Sequence, residues 1–162
     1  MPVIACGCRS RGYSSSDTEE EMGWAEREGT LPPSATTSHR MRRVRVRRTA
    51  AERRVVRILR ADGIRHTTRT DELPGRPDVL IEARIALFVD GCFWHGCPRC
   101  FRAPRSNRGW WLRKIDANRR RDRRKDRALR ALSYRVLHVR EHDSDERILR
   151  RIRSARTSDR RR

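Results

Sequence analysis

Lysine is almost missing from this 162-residue chain: of its 41 basic residues, only Lys114 and Lys125 are not arginine. Acidic residues number 21, about half as many, which leaves a formal net charge of +20. A charge that one-sided points to a polyanionic partner, because each phosphate that a cation neutralises releases condensed counterions. Nucleic acid fits this better than a solvated surface or a membrane surface. Long apolar runs are absent as well. No stretch approaches the roughly eighteen apolar residues of a membrane span, and the start shows no basic-then-apolar signal pattern. A cytoplasmic, nucleoid-associated protein is the expectation. Cysteine is limited to five residues, which in such a compartment argue for metal or reactive thiols before disulfides.

The two ends lack periodicity. Residues 1–38 mix Ser, Gly, Glu and Pro and read as a disordered extension, in which Cys6 and Cys8 are weak evidence for a metal or redox site. Residues 156–162 read as a solvated basic tail. Between them, residues 39–155 form one catalytic-sized domain. Thr49 is a good N-cap with Glu52 three residues on, Val55, Val56 and Leu59 make an apolar stripe, and Asp62-Gly63 closes the turn, so a helix is predicted there. "GIRHTTRT" reads as a strand and "DELPGRP" as a loop. "DVLIEARIALFVD" reads as two strands meeting near Glu82 to Arg84, a hairpin at the centre of a sheet. A cysteine-rich loop over 91–106, a long helix from about Asn107 to Ala131, a strand in "YRVLHVR" and a terminal helix opened by Asp143 complete the order. That order predicts an α/β fold, a mixed central sheet flanked by helices.

Chemistry concentrates in "FVDGCFWHGCPRC", residues 88–100. Cys92-x4-Cys97-x2-Cys100 offers three thiolates to a zinc ion, and a structural site closes with four ligands. His95 and His142 compete for the fourth place. His95 sits so close to Cys92 and Cys97 that it would crowd the shell, whereas His142 follows a strand and pins two parts of the chain together, so His142 is favoured. Asp78, at the start of one hairpin strand, and Asp90, at the end of the next, reach the same end together with the carbonyl of Val89. That donor set suits Mg²⁺. Glu82-Ala83-Arg84 looks like a metal-site tripeptide but falls at the opposite end of the hairpin. Asp122 lies seven residues from both Ile115 and Leu129, inside an apolar helical stripe where a carboxylate needs a partner, either a histidine or a neighbouring arginine. In a chain that is 6% aromatic, Phe93-Trp94 and Trp110-Trp111 put large rings among arginines. There they could stack on bases, with Trp110 or Trp111 as the more core-like pair.

"LPGRPDVLIEARIALFVDGCFWHGCPRC", followed by "WWLRKIDANRRRD" and "YRVLHVREH", resembles the very short patch repair (Vsr) DNA mismatch endonucleases over roughly residues 39–143. The resemblance implies a restriction-endonuclease type of fold and a Mg²⁺-dependent strand cut 5′ of the thymine in a T·G mismatch left by deamination of 5-methylcytosine. It makes Asp78 the essential metal-binding aspartate, with the Val89 carbonyl as a second ligand, His95 the active-site histidine, Asp122 its support, and Glu52 an acidic residue near the site. Phe93, Trp94 and Trp111 match aromatics that intercalate beside the mismatch, and Cys92, Cys97 and His142 fall at zinc-ligand positions. Asp90 stands where the enteric enzyme has a second histidine, and Cys100 is displaced by one residue from the third zinc-ligand position. "HRMRRVRVRR", containing Arg42 and Arg43, corresponds to an arm that grips the duplex. The implied partners are mismatched double-stranded DNA and mismatch-repair proteins, with the enzyme acting as a monomer. The alternative from another class is a non-catalytic, zinc-stabilised DNA-binding protein.

Overall fold

A computed structural model describes residues 49–159, and their elements follow the expected order of helix, three strands, helix, strand, helix. Arg42, Arg43, Cys6, Cys8 and the segment expected to be disordered lie outside the described residues. The first helix, α1 (Ala50–Ala61), begins at a reciprocal cap: Thr49 Oγ1 accepts the Glu52 N–H at 3.2 Å and donates to Glu52 Oε1 at 2.9 Å. Its buried stripe is Val55, Ile58 and Leu59. Val56, expected in that stripe, is only partly buried, because i, i+3 and i+4 share a face and Ile58 takes the place. Gly63, at φ +64°, then turns the chain away.

The sheet has four strands in the order β1 (His66–Thr67), β2 (Val79–Ile81), β3 (Ile85–Asp90) and β4 (Arg135–Arg140). The strand expected over "GIRHTTRT" shrinks to His66–Thr67. β2 and β3 form the antiparallel hairpin at the centre, and β4 runs parallel to β3, so the sheet is mixed. A parallel pair needs a long crossover, supplied here by α2 (Arg108–Ala131).

Alternation along the strands divides the work between two faces. Val79, Ile81, Ile85, Leu87 and Val139 pack on Val55, Ile58 and Leu59 of α1, and on Ile148, Ile152 and Ala155 of the last helix, α3 (Asp145–Asp159). Phe88, Asp90 and His138 therefore turn to the other face, where α2 lies: His138 Nε2 bonds Asp126 of α2 at 3.0 Å. The terminal helix is opened by Ser144, not Asp143, since Ser144 Oγ accepts the Arg147 N–H at 3.3 Å. It also continues through 156–159, the first part of the segment read as a tail.

The hairpin turn is strained. Glu82 (φ 49°) and Ala83 (φ 56°) both adopt the left-handed region that favours Asn-Gly. Glu82 is held there by Arg156, whose Nε and Nη2 donate to Glu82 Oε1 at 3.0 and 2.6 Å. Ala83→Gly removes a Cβ penalty of about 1 kcal/mol, less the extra entropy that glycine loses on folding. We expect a net stabilisation of a few tenths to about 1 kcal/mol in urea unfolding. Destabilisation would show that the turn is not under this strain.

Candidate active site and metal centre

The parallel pairing of β3 with β4 ends at Asp90 opposite Arg140. Cys92 and His142 each stand two residues beyond that last pair, so the two loops leave the same edge side by side. His142 Nδ1 lies 2.9 Å from Cys92 Sγ, 3.2 Å from Cys100 Sγ and 3.8 Å from Cys97 Sγ. The four ligand atoms all fall within 4.8 Å of one another. Tetrahedral zinc, with bonds of about 2.3 Å to sulfur and about 2.0 Å to nitrogen, sets ligand atoms roughly 3.5 Å apart, so the cluster can hold a metal such as zinc. Burial pushes the Cys92 thiol up to about 12. Burial also opposes ionisation of Cys97, but the amides of Cys100 and Arg99 outweigh it and draw that thiol down to about 7.

The sequence did not reveal what lies beside His142. Asp143, expected to open the last helix, is buried and lies 3.9 Å from His142 Nε2, behind the ring. It accepts the Arg140 N–H at 2.9 Å and pairs with Arg147 at 3.2 Å. Glu141 Oε1 accepts the Cys92 N–H at 2.7 Å, which ties the cysteine loop to the end of β4.

His95, the other candidate for zinc, turns away from the thiols. Its Nδ1 meets Asp122 Oδ2 of α2 at 2.8 Å and lies 3.7 Å from Asp90 Oδ1. Burial lowers the His95 pKa, yet Asp122 and Asp90 outweigh it and the net shift is upward from 6.5. Asp122 is lowered in turn: burial opposes this, and His95 and then Lys125, 3.7 Å away, prevail. The loop carrying His95 is clamped from α2. Asn118 Nδ2 donates to the Trp94 carbonyl at 3.0 Å, and Arg119 Nη2 to the Gly96 carbonyl at 2.6 Å. Gly96, at φ +57°, leaves no room for a side chain, since a Cβ would lie 2.6 Å from Ile115 Cγ2.

A second buried network adjoins this pair. Both Asp90 oxygens lie 3.0–3.1 Å from His138 Nδ1, and Asp126 holds His138 Nε2. Burial opposes the charge on His138, but Asp90 and Asp126 raise it to about 9. Neither His138 nor Asp126 stood out in the sequence. The available signal was that Asp126 sits four residues after Asp122, on the same helical stripe. A cleft of about 350 Å³ opens over Asp90, His95, Asp122 and His138 and is rimmed by Arg119, Arg123 and Arg140.

Asp78 reaches the site by another route. Its Oδ2 accepts the Val89 N–H at 2.7 Å. In an extended strand a residue's N–H and C=O face the same edge, so the Val89 carbonyl points to the Asp78 side. Continuing the Val79↔Leu87 register by one pair sets Pro77 opposite Val89. Proline has no N–H to give that carbonyl. Asp78 and the Val89 carbonyl thus share one edge, while Asp90 faces α2. Glu52 sits in the α1 cap.

The aromatic residues gather into one cluster. Phe93 contacts Trp94, Phe101 and Trp111 with ring centroids 5.2, 5.6 and 5.1 Å apart, and Trp110 stands edge-on to Trp111 at 4.9 Å. Trp111, matched above to an intercalating ring, is buried at 6% exposure and forms the base of the cluster. Phe93 and Trp94 are half-buried on top of it.

Residues 32–100 match the family model described as DNA mismatch endonuclease Vsr. The chain is 43% identical over 102 residues to the type II nicking enzyme V.XorIIP of Xanthomonas oryzae pv. oryzae, covering 61% of this chain and 74% of that protein. It is 41% identical over 108 residues to the DNA mismatch endonuclease Vsr of Escherichia coli, covering 65% of this chain and 69% of that one. A type II nicking enzyme of Neisseria meningitidis, V.NmeAIP, is 31% identical over 110 residues, covering 64% and 78%.

Two measurements probe this site directly. Asp122→Asn removes the carboxylate that raises His95, so the His95 midpoint in an NMR titration of the DNA-free protein should fall. A raised histidine contributes stability that is full below 6.5 and lost as pH climbs through its folded midpoint. The stability gap between wild type and Asp122→Asn should therefore narrow over that rise. An unmoved midpoint would show that Asp122 is not the governing partner. Elemental analysis should find zinc in the wild type, and His142→Ala should hold it more weakly and unfold at lower temperature. Unchanged zinc and stability would place the fourth ligand elsewhere.

Proposed function

Because the chain belongs to the family of the DNA mismatch endonuclease Vsr, we propose that it nicks one strand of a DNA duplex, cutting 5′ of the thymine in a T·G mismatch in a Mg²⁺-dependent hydrolysis. The observation that carries this reading is the His95–Asp122 pair in an arginine-rimmed cleft.

Each part has a role set by its chemistry. Asp122 occupies His95 Nδ1, which leaves Nε2 as the nitrogen that exchanges a proton with the attacking water or the leaving oxygen. Arg123 and Arg140 at the rim attract the phosphodiester, and Arg119 keeps the His95 loop in place. The hard oxygens of Asp78 and the Val89 carbonyl fit a divalent cation, whereas Asp90, expected from the sequence as a further ligand, has both oxygens turned to His138. When bound, Mg²⁺ supplies charge stabilisation for the phosphoryl group and a more acidic water. Glu52 would contribute its carboxylate from the start of α1. Phe93 and Trp94 would enter the base stack at the mismatch, where stacking is already weakened, with Trp111 supporting them from below. The metal held by the three cysteines and His142 would be structural zinc, since four protein ligands leave no open position. Partner proteins would come from mismatch repair, and the unit acting on DNA would be a monomer with Arg42 and Arg43 gripping the backbone.

The test is a nicking assay on a T·G duplex with Mg²⁺, with a matched duplex as control and Asp78→Ala beside the wild type. We expect a cut strand only with wild type, Mg²⁺ and the mismatch, and a rate for Asp78→Ala lower by about two orders of magnitude or more. Binding without cleavage by either protein would instead support a non-catalytic DNA-binding protein.

A further inference from the structure

We propose that His138 is a positioning residue of this active site, holding the Asp90 carboxylate against the His95–Asp122 pair and anchoring it to α2 through Asp126. The inference rests on the nuclease reading above and extends it to residues that reading does not use.

The geometry is specific. His138 stands opposite Phe88 in the parallel register and stacks on it, with ring centroids 5.1 Å apart and planes 18° apart. That contact fixes the plane of the imidazole. Its two nitrogens then face two carboxylates on different elements, Asp90 of β3 at 3.0 Å and Asp126 of α2 at 3.0 Å. Asp90 in turn lies 3.7 Å from His95 Nδ1, the nitrogen bonded to Asp122. Carboxylate and imidazole alternate from Asp122 through His95, Asp90 and His138 to Asp126, and four of these five line the same cleft. With both nitrogens engaged, His138 has none left to exchange a proton with substrate, so it acts through Asp90. A buried carboxylate beside another carboxylate's partner needs such a donor, or it would repel Asp122 and turn away from His95.

Asparagine and glutamine separate the two ends of the bridge, because Asn places an amide N–H near the Nδ1 position and Gln near the Nε2 position. We expect His138→Gln, which keeps only the Asp126 side, to lower kcat for nicking about 10- to 100-fold with KM for DNA within about twofold. We expect His138→Asn, which keeps the Asp90 side, to recover most of that loss. In an Asp90→Ala background, His138→Ala should cost nothing further, as expected for residues that act as one unit. A second readout needs neither DNA nor Mg²⁺: the His95 ring ¹⁵N–¹H signals should move in His138→Gln and stay near their wild-type positions in His138→Asn, with thermal unfolding checking that both variants fold.

Equal losses in the Asn and Gln variants, an unimpaired Gln variant, or a further loss from His138→Ala beside Asp90→Ala would each overturn the proposal. If the wild type does not nick at all, the nuclease reading fails. The His95 signals still decide whether His138 positions Asp90.

Discussion

Parallel pairing of β3 with β4, kept in register from Ile85↔Arg135 to Asp90↔Arg140, sets where the cysteine loop, His142, Asp90 and His138 stand relative to one another. Because both strands stop at the same level, Cys92 and His142 emerge together and a metal can join them. Because the two strands face α2 with the same parity, Phe88, Asp90 and His138 form one patch. A slip of one residue would turn His138 into the hydrophobic core and move His142 away from the thiols. A metal held by the three cysteines and His142 would close the open end of this pair and guard the register on which the cleft depends.

Helix α2 supplies the opposing wall. Trp111, Ile115, Asn118, Asp122, Asp126 and Leu129 follow one another at three- or four-residue steps along its inner face. The apolar members at the two ends anchor the helix, with Trp111, Ile115 and Leu129 all buried. The polar members between them each meet a partner on the loop or the sheet. Buried carboxylates are costly when unpaired. Here the imidazoles of His95 and His138 offset that cost, and the cleft gains alternating charges that are fixed in place before any substrate arrives.

Much of this was legible along the chain. Element order, the central hairpin and the helix containing Asp122 followed from caps, apolar period and turn residues, which are local. His142 as companion to the cysteines and His95 as companion to Asp122 followed from spacing joined to the family resemblance. What escaped was either a matter of phase or of distance. Ile58 replaces Val56 because one residue of helical phase is 100°. Ser144 caps α3 because the buried Asp143 carboxylate is taken by the Arg140 N–H and by Arg147. Trp111 became the buried base of the aromatic cluster because Phe93 and Trp94, eighteen and seventeen residues away in the chain, pack edge-on and tilted against it in space.

The sequence by itself determined the periodic elements, the basic character of the surface and the presence of a cysteine-rich loop between a strand and a helix. These depend on contacts within a few residues or on composition alone. Only the tertiary structure decided that Asp90 belongs with His138 and Asp126, that Pro77 leaves the Val89 carbonyl without a ladder donor on the edge shared with Asp78, and that Asp143 stands behind His142. Each of those depends on which strands pair and which face a helix covers, and such partners are distant along the chain: Asp90 and His138 are 48 residues apart.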